Sequence, residues 1–555
     1  MHTTKITQTL ALAGFTPAGK LSHLYCSLLS VLALFVAALG KLNWGKRAYA
    51  VLVLYAATAI ALPAQTFTSL FSFAGTNGQD PLAALVQATN GDLYGTTAGG
   101  GANAGCTFFN ATGCGTVFKI TTSGTLTTLY SFCAQSGCTD GANPGAGLVQ
   151  AANGDFYGTT SAGANLNATV CYAAGCGTIF KISPSGTLTT LHSFCAQSGC
   201  TDGGNPLAGL LQAADGDFYG TAGTGGANCV PYGCGTVFKI TPSGALTTLY
   251  SFCAHGGFPA CTDGWFPVAG LVQAANGDFY GTTEYGGADP FGGNYGGTVF
   301  KITPSGTLTT LYSFCSQSGC TDGDGALTGL VQATNGDFYG TTPAGGANGA
   351  GTVFKITASG TLTTLYSFCS QIPPSGGCTD GAAPAAGLVQ ATSGDLYGTT
   401  SSGGVDYLGY AGGTIFKITP SGTLTTLYNF CAQSGCTDGV YPGVALVQDT
   451  NGTLYGTTAA GGTSNDGVVF SMSVDLGPFV ETQRSYGTVG AVVEILGTDL
   501  TGATSVSFNG TAAAFTIVSP SLIAARVPAG ASSGKVQVVT PSGTLSSNVP
   551  FRVLP

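Results

Sequence analysis

Charged residues, histidines and methionines are scarce in this chain of 555 residues. Lys, Arg, Asp and Glu make up only 7% of it, and there are four histidines and two methionines. Only His192 and His255 lie beyond residue 64. The scarcity of histidine argues against zinc catalysis and against Ser/His/Asp hydrolytic triads, because both depend on histidine in a defined arrangement.

Clusters of basic residues are also lacking. The formal net charge is -9, and all 24 acidic residues lie beyond residue 64. Nucleic acids and anionic membrane surfaces bind clustered Lys and Arg. We therefore expect no nucleic-acid partner, and membrane attachment only through an uncleaved N-terminal segment.

The first 64 residues contain no acid, and their second apolar stretch, Ala48–Leu62, follows basic residues and precedes small ones. This order is typical of a secretory signal. We expect cleavage after Ala61 or Ala64, translation starting near Leu42, and residues 1–41 to be a gene-model extension. The alternative is a pair of membrane helices, although the second stretch is short for a span. The expected location is extracellular or at the cell surface, with the periplasm as the alternative.

What the chain does contain is 90 glycines and one phrase in seven copies. The phrase reads Leu-Val-Gln-Ala, a short turn, and Asp-Phe-Tyr-Gly-Thr-Thr, and its copies begin 58 to 63 residues apart. Such a period indicates one repeated supersecondary unit. The copies begin at Leu85, Leu148, Leu210, Leu271, Leu330, Leu388 and Leu446.

Each repeat holds four runs with the composition of β-strands. In the second repeat the runs are Gly147–Ala151, Asp155–Thr160, Gly177–Ile182 and Thr187–Phe194. β-branched and aromatic residues dominate them, without a helical period, and Asn-Gly and Pro-Ser-Gly turns separate them. Four antiparallel strands per unit predict a propeller blade.

The two ends of the array predict how it closes. The last repeat ends with the third run, Gly467–Met472, whereas Thr66–Phe73 at the start has the pattern of the missing fourth run. The leading strand would complete the last blade and remove open sheet edges. We predict an all-β fold, with a seven-bladed β-propeller over residues 65–475 that its N-terminal strand closes. Both long loops of each blade then lie on one face.

Eighteen of the 19 cysteines come as close neighbours in these long loops. An even set of local pairs in an exported protein predicts disulfides, and the spacing argues against a metal site. The expected pairs are Cys106/Cys114, Cys133/Cys138, Cys171/Cys176, Cys195/Cys200, Cys229/Cys234, Cys253/Cys261, Cys315/Cys320, Cys369/Cys378 and Cys431/Cys436.

The same loops carry aromatic residues. Exposed rings beside Asn, Asp and Thr can stack on sugars or anchor a protein partner, and the alternative is that the rings pack the loops down. The candidates for a ligand-contacting face are Phe108, Phe109, Tyr172, Tyr232, Trp265, Phe266, Tyr285, Phe291, Tyr295, Tyr407 and Tyr410.

Two sets of six aspartates recur in turns, one after the Asn-Gly-type turn and one in Thr-Asp-Gly loops. The favoured role is turn chemistry, because Asp bonds nearby backbone amides. The alternative is calcium in the Thr-Asp-Gly loops, with Asp322 and Asp324 as the best candidates. No other cofactor is expected. The sets are Asp92, Asp155, Asp217, Asp278, Asp337 and Asp395, and Asp140, Asp202, Asp263, Asp322, Asp380 and Asp438.

Two resemblances carry these expectations further. The phrases Gly-Asp-Phe-Tyr-Gly-Thr-Thr, Gly-Gly-Ala and Gly-Thr-Val-Phe-Lys-Ile resemble the tandem repeat of the GloVer family, the extracellular choice-of-anchor proteins of bacteria, over residues 66–472. That resemblance implies export and surface display, and it supplies no catalytic residues. Residues 476–555 alternate like short strands of a sandwich and resemble an IPT/TIG immunoglobulin-like domain, which we expect to be a spacer or adhesion module.

We expect an exported surface-binding or scaffolding protein rather than an enzyme, contacting a glycan or another cell-envelope component, or a protein partner, through the disulfide-stapled loops. One alternative is an extracellular polysaccharide lyase or hydrolase, for which Glu284 and Asp289 are the candidate carboxylates. The other alternative is a surface-layer component that associates with itself.

Overall fold

The computed structural model describes residues 65–103, 105–108, 111–165, 169–171, 175–229, 231–288, 296–372, 377–405 and 412–554. The predicted signal sequence and its cleavage sites lie outside these residues. Within the described part, no helix has the length and hydropathy of a membrane span. The helical segments there are single 3-10 turns: Gly75–Asn77, Ser136–Cys138, Thr169–Cys171, Ser198–Cys200, Ser318–Cys320, Ser434–Cys436 and Leu500–Gly502.

The repeats form seven four-stranded antiparallel sheets within the described residues, here sheets 1 to 7. Their first strands are Val86–Gln87, Val149–Gln150, Leu211–Gln212, Val272–Gln273, Val331–Gln332, Val389–Gln390 and Val447–Gln448. Their second strands are Leu93–Thr97, Phe156–Thr160, Phe218–Ala222, Phe279–Thr283, Phe338–Thr342, Leu396–Thr400 and Leu454–Thr458. Their third strands are Thr116–Ile120, Thr178–Ile182, Thr236–Ile240, Thr298–Ile302, Thr352–Ile356, Thr414–Ile418 and Val468–Ser473. The fourth strands of sheets 1 to 6 are Leu126–Ser131, Leu188–Ser193, Leu246–Ser251, Leu308–Ser313, Leu362–Ser367 and Leu424–Asn429.

The predicted all-β class and the four-strand unit are confirmed, but the first strand is shorter than the sequence predicts. In sheet 2 only Val149–Gln150 pairs as a strand, opposite Tyr157 and Phe156. The next residue, Ala151, already belongs to the turn, because its N–H donates to the carbonyl of Asp155 at 2.9 Å and its carbonyl accepts the Gly154 N–H at 2.8 Å. A tight turn therefore follows directly after two residues. A further short hairpin, Thr107–Phe108 with Ala111–Thr112, lies in the long loop of sheet 1.

The strand that completes sheet 7 comes from the start of the described chain. Thr66–Ser72 pairs antiparallel with Val468–Ser473, with Thr66 opposite Ser473 and Ser72 opposite Val468. The order of this sheet is therefore the leading strand, then the third, second and first strands of the last repeat. This is the pairing that the offset between the two ends of the array predicts.

Consecutive sheets are joined by buried aromatic and aliphatic side chains. Phe132 of sheet 1 meets Phe180 of sheet 2 edge to face at 5.1 Å, and the same pair recurs along the array. The same phenylalanine explains the glycine in Phe-Tyr-Gly-Thr-Thr, because Gly158 lies opposite Phe180 within sheet 2. A Cβ on Gly158 would lie 2.7 Å from Phe180 and 2.8 Å from Leu148. Such a distance is too short for a side chain, so the position requires glycine.

Sheets 7 and 1 make the same kinds of contact with each other. Phe73 of the leading strand meets Phe118 of sheet 1 at 5.3 Å, edge to face. The hydroxyl of Thr96 donates to the Ala146 carbonyl of the next repeat at 2.9 Å. At the junction of sheets 7 and 1, the hydroxyl of Thr457 lies 3.4 Å from the equivalent carbonyl, that of Ala83, and 2.9 Å from the carbonyl of Pro81. A buried cluster that includes Phe73, Phe118 and residues of sheet 7 fills the space between them.

The residues after the repeats form an immunoglobulin-like domain of two four-stranded sheets and one parallel strand pair. Its core includes Ile495, Val506, Phe508, Ile523 and Phe551, all at most 1% exposed. Its strands are Glu481–Thr482, Tyr486–Thr488, Val492–Leu496, Ser505–Phe508, Thr511–Ala513, Phe515–Ser519, Leu522–Arg526, Val536–Thr540, Gly543–Ser546 and Arg552–Leu554.

This domain packs on the repeats at one edge of their sheets. We name the ends of the strands that carry the Asn-Gly-type and Pro-Ser-Gly turns the turn edge, and the opposite ends, which carry both long loops, the loop edge. Ser521 Oγ donates to the carbonyl of Thr89 at 3.1 Å, and the Tyr486 hydroxyl donates to the carbonyl of Ala213 at 2.6 Å. The domain thus contacts turns of several repeats and covers part of the turn edge.

Candidate functional site

Nine disulfides within the described residues brace the loop edge, in the nine neighbouring pairs that the sequence suggests. Closing short loops restricts the unfolded chain, and each bridge is worth about 2–3 kcal/mol in the chain-entropy model. The nine bridges indicate folding in an oxidising, extracellular-type environment. They are Cys106–Cys114, Cys133–Cys138, Cys171–Cys176, Cys195–Cys200, Cys229–Cys234, Cys253–Cys261, Cys315–Cys320, Cys369–Cys378 and Cys431–Cys436.

The sequence predicts similar disulfides in all the Thr-Asp-Gly loops, but in the structure the backbone conformation of Cys378 differs from that of most of its counterparts. Cys378 lies nine residues after Cys369, ends no 3-10 turn and does not have a positive φ. Its backbone nevertheless keeps the role of its counterparts, because the Cys378 carbonyl accepts the Gly404 N–H at 2.8 Å. The longer loop therefore reaches the same anchor point by a different path. The counterparts that end a 3-10 turn with a φ of 50° to 53° are Cys138, Cys200, Cys320 and Cys436.

The aspartates of the Thr-Asp-Gly loops are buried and hold these loops together. Asp140 is fully buried and accepts hydrogen bonds from the Tyr130 hydroxyl and the Ala134 amide, both at 2.9 Å. Burial and the neighbouring carboxylate raise the pKa of Tyr130. In the second repeat His192 replaces the tyrosine, and its Nε2 lies 3.0 Å from Asp202. His192 is therefore a strand residue that contacts the buried aspartate of the loop, as a tyrosine does at the other Thr-Asp-Gly loops.

Asp322, one of the two calcium candidates, has the same role in turn chemistry. Its carboxylate is fully buried and accepts hydrogen bonds from the Tyr312 hydroxyl at 2.8 Å and from the amide and hydroxyl of Ser316 at 3.1 and 2.9 Å. Asp324 lies within 4.8 Å of Cys315 and Cys320, but these cysteines share a disulfide. The geometry of Asp322 thus gives the calcium hypothesis no support.

The aspartates after the Asn-Gly-type turn pair with the lysines of Phe-Lys-Ile. Asp155 lies 3.7 Å from Lys181, and its amide bonds to the side chain of Asn153 at 3.1 Å. Both side chains of the ion pair are partly exposed, so the pair contributes at most about 1 kcal/mol. Equivalent pairs recur in sheets 1 to 6. These groups are structural and equivalent in the first six repeats.

Of the aromatic candidates, the structure describes Tyr232, Trp265, Phe266 and Tyr285, together with the backbone of Phe108. Tyr232 lies in the loop that Cys229–Cys234 closes, and half of its side chain is exposed. The other candidates and the carboxylate of Asp289 lie outside the described residues: Phe109, Tyr172, Phe291, Tyr295, Tyr407 and Tyr410.

Three of the described candidates form one cluster on the loop edge of sheet 4, here called the aromatic cluster. The rings of Trp265 and Tyr285 lie 4.5 Å apart, and Phe266 lies 5.9 Å from Tyr285. A fourth ring that sequence reasoning missed, Phe258, meets Trp265 at 5.3 Å with its plane at 69°. Phe258 is 59% exposed and lies in the loop between Cys253 and Cys261.

The other repeats do not carry rings at the positions of Trp265 and Tyr285. These two residues face each other in an isolated antiparallel bridge, and the same bridge occurs in each repeat. Because small pairs form the same bridge, the bridge itself does not need aromatic side chains. The rings of the fourth repeat are therefore an addition to the repeat. The equivalent pairs are Gln79/Gly99, Ala142/Ala162, Gly204/Thr224, Asp324/Ala344, Ala382/Ser402 and Val440/Ala460.

Phe266 and Glu284 lie next to the bridge of Trp265 and Tyr285, and both also differ from the residues of the second and third repeats at these positions. Phe266 has a φ of 58°, in the left-handed region that bulky residues rarely adopt. The equivalent residue is Asn in the second and third repeats. Glu284 donates its backbone N–H to the Phe266 carbonyl at 3.2 Å. Burial raises the pKa of Glu284, while a hydrogen bond with Tyr285 acts in the opposite direction. The cluster thus combines exposed ring surface with one carboxylate.

A second departure that sequence reasoning missed lies on the turn edge of sheet 7. Asp449 stands where the other six repeats have Ala, and only 2% of it is exposed. Burial raises its pKa to about 6. Glu481, in the first strand of the C-terminal domain, has a pKa that burial and the charge of Asp449 raise to about 7. The replacement of Ala by Asp in the last repeat is visible in the sequence and could have indicated this site.

Comparison with protein families follows this division of the chain. The model of the Gloeobacter/Verrucomicrobia repeat matches residues 53–199, 110–328, 172–379 and 321–516. The model of the IPT/TIG domain matches residues 480–553. A comparison with curated proteins finds no match to the chain.

Solved structures resemble the chain only distantly. A fungal alcohol oxidase of the AA5 family, in complex with copper, is 12% identical with a TM-score of 0.47, over 89% of this chain and 100% of that chain. The PQQ-bound aldose sugar dehydrogenase from Streptomyces coelicolor is 11% identical with a TM-score of 0.33, over 74% of this chain and 98% of that chain. Similarity at this level carries no argument about function. By its four overlapping repeat matches the chain belongs to the Gloeobacter/Verrucomicrobia repeat family, with an IPT/TIG domain after the repeats.

Proposed function

We propose that this protein is an exported, glycan-binding protein of the cell surface. In this proposal the seven sheets form a closed seven-bladed β-propeller, the IPT/TIG domain packs on its turn edge, and the glycan binds at the loop edge. The aromatic cluster of the fourth repeat is the centre of the binding site. The disulfides hold the loops of this edge in place before the ligand arrives, which lowers the entropic cost of binding.

The contacts between sheets 7 and 1 support closure. A glutamine of the first strand accepts a hydrogen bond from the turn of the preceding sheet, as Gln150 does from the Thr89 amide at 3.0 Å. Gln87 accepts the same bond from the Thr450 amide at 3.1 Å, across the two ends of the array. With the edge-to-face contact of Phe73 and Phe118, this bond gives the junction of sheets 7 and 1 two contacts that recur between consecutive sheets of the array. A closed ring also leaves no free strand edge in the repeats.

The observation that carries the binding site is the confinement of Trp265 and Tyr285 to one repeat. The residues of the equivalent bridge differ among the other six repeats, and none of them carries a ring, so the bridge does not require the two rings of the fourth repeat. Phe258 and Trp265 stand edge to face, so that two ring planes line a corner that is partly open to solvent. The C–H faces of pyranose rings stack on such aromatic planes, while Glu284 can accept hydrogen bonds from sugar hydroxyls.

The test is glycan binding by the secreted protein and a variant with Trp265→Ala and Tyr285→Ala. This variant recreates the Ala142/Ala162 bridge of the second repeat, so we expect it to fold with an unchanged thermal midpoint. We expect wild type to bind envelope polysaccharide on an array or in a pull-down, and the variant to bind at least tenfold more weakly, about 1.4 kcal/mol. Tyr441→Asn is the matched control, because Tyr441 is the counterpart of Phe266 in the seventh repeat.

Several outcomes would remove the proposal. Equal binding by wild type and the double variant would exclude the aromatic cluster as the site. The absence of any glycan ligand, with the protein eluting as a large oligomer, would favour the surface-layer alternative. Shortened glycan products after incubation would favour a lyase or hydrolase, in which Glu284 would act as a general acid because its pKa is raised.

A further inference from the structure

A chamber of about 580 Å³ lies between the repeats and the IPT/TIG domain. The first strands of sheets 3 to 6 form one wall, with Leu211, Val331 and Val389 among its apolar residues. Tyr486 and Phe551 of the domain line the opposite wall. This volume and this mixture of apolar walls and a few polar groups are typical of a small-molecule site. The chamber lies at the turn edge, away from the aromatic cluster.

Two glutamines in the chamber have an amide oxygen that accepts no backbone hydrogen bond from the preceding turn. In the first strands the glutamine Nε2 donates to a glycine carbonyl of its own turn, as Gln212 and Gln332 do at 3.2 Å. In five repeats the Oε1 atom also accepts a backbone N–H from the turn of the preceding sheet. Among the described residues, the Oε1 atoms of Gln212 and Gln332 accept no such bond. Both glutamines line the chamber, where these oxygens can accept hydrogen bonds from a ligand.

The chamber is lined by one acidic and one basic residue, Glu481 and Arg552, and these two do not pair with each other. Glu481 lines it, and no described basic residue forms an ion pair with its carboxylate. Arg552 lies on the same wall, but its guanidinium donates to the carbonyls of Ala274 and Ala275. The charge of Asp449 acts on Glu481 and is also negative, and burial and this charge together raise the pKa of Glu481. A carboxylate with a perturbed pKa in a cavity is more often found at functional sites than elsewhere.

We propose that this chamber binds a small organic cation, with its ammonium group at Glu481 and its hydrocarbon part against the apolar first strands. The ammonium group supplies the counter-charge that the carboxylate lacks, and its N–H groups donate to the glutamine oxygens. Glu481 and Asp449 would repel an anion, and the guanidinium of Arg552 already donates to backbone carbonyls. A neutral ligand would leave the partly buried carboxylate of Glu481 without a counter-charge. The site is independent of glycan binding at the loop edge.

The test uses three probes of similar size and different charge: benzylammonium, benzyl alcohol and benzoate. Their binding to the secreted protein at pH 8 is measured by saturation-transfer NMR and calorimetry. We expect benzylammonium to bind, benzyl alcohol to bind more weakly and benzoate not to bind. Glu481→Gln should weaken benzylammonium at least tenfold, and Glu494→Gln, in the same domain but outside the chamber, should leave its affinity unchanged.

A second variant keeps the test decisive if Glu481→Gln perturbs folding. Val331→Phe places a larger ring in the chamber without changing its charge, and it should abolish benzylammonium binding. The proposal is wrong if benzylammonium binds wild type no better than benzoate does. It is also wrong if benzylammonium binds wild type and either chamber variant equally. Glycan binding should be unchanged in both variants, which separates this site from the aromatic cluster.

Discussion

Replacing Asp449 by alanine should stabilise the protein at neutral and alkaline pH. The substitution restores the residue that the other six repeats carry at this place. Asp449 is 2% exposed, and its carboxylate accepts a long bond from the Thr450 hydroxyl at 3.4 Å. No described basic residue pairs with it. The second carboxylate that acts on this region is Glu481, whose pKa Asp449 helps to raise.

The magnitude follows from the pKa of the buried group. Burial raises the pKa of Asp449 from 3.8 to about 6, which corresponds to about 3 kcal/mol of lost stability when the group is ionised. Because the folded-state pKa is raised, the folded protein binds the proton more tightly than the unfolded chain does. The penalty is therefore absent below about pH 4, grows between about pH 4 and 6, and stays constant above. The lost turn bonds cost about 1 kcal/mol, which leaves a net gain of about 2 kcal/mol at pH 8.

The assay is denaturant unfolding of the secreted protein, with its disulfides intact, at pH 4, 6 and 8. Trp265 is the one tryptophan beyond residue 64, so its fluorescence reports on the repeats. Asp449→Ala should unfold at a higher denaturant concentration than wild type at pH 8, and at an equal or slightly lower one at pH 4. Asp155→Ala, which removes an exposed ion pair with Lys181, is the control and should change little at any pH.

The result that would refute this reasoning is an Asp449→Ala variant that is less stable than wild type by the same amount at pH 4 and pH 8. Equal loss at both values would mean that hydrogen bonds to the carboxylate offset the cost of its desolvation. The pKa of Asp449 would then be the same in the folded and the unfolded chain, so that it is not raised by folding.

Three further predictions concern the repeats. Deleting Thr66–Ser72 should expose the edge of sheet 7 and cause association, which light scattering after size exclusion would detect; a monomer of unchanged stability would contradict closure. Gly158→Ala should destabilise by about 2 kcal/mol, measured by denaturant unfolding, because its Cβ would overlap Phe180; an unchanged midpoint would show that the ring can move. Tyr250→Phe should cost about 1–3 kcal/mol, because its hydroxyl bonds the buried Asp263 at 2.8 Å, and a neutral effect would mean that the loop amides suffice.

The fold could be predicted because the same strand pattern occurs seven times in the sequence. Seven copies of the same alternation fix the strand order, and the shift between Thr66 and Met472 indicates which strand completes the last sheet. Cysteine spacing suggested local pairs for the same reason, since each loop offers one neighbour. The different backbone of Cys378 could not be predicted, because spacing fixes a partner but not the path of the loop between. The first strand was predicted too long because its alternation continues into Ala151, whose backbone belongs to the turn.

The candidate sites were harder to predict because they rest on contacts between loops and between domains. Trp265 and Tyr285 are 20 residues apart, and nothing in either neighbourhood alone indicates that their rings meet. The IPT/TIG domain is held partly by backbone carbonyls, such as that of Ala213, which every sequence has. Asp322 suggested a calcium site from the sequence, but in the structure its carboxylate accepts hydrogen bonds from groups of its own loop.

The repeats therefore serve as their own control for function. A side chain that most copies share is explained by the sheet, as Asp155 is by its ion pair with Lys181, which recurs in six of the seven sheets. A side chain that one copy alone carries has to be explained by something outside the repeat. In the described chain, two such places stand out, Trp265 with Tyr285 at the loop edge and Asp449 at the turn edge. Asp449 lies where the repeats meet the IPT/TIG domain, and that contact explains why an acid replaces alanine there. Within the described residues, no second domain covers Trp265 and Tyr285 at the loop edge. These two rings are therefore the better marker of an external ligand.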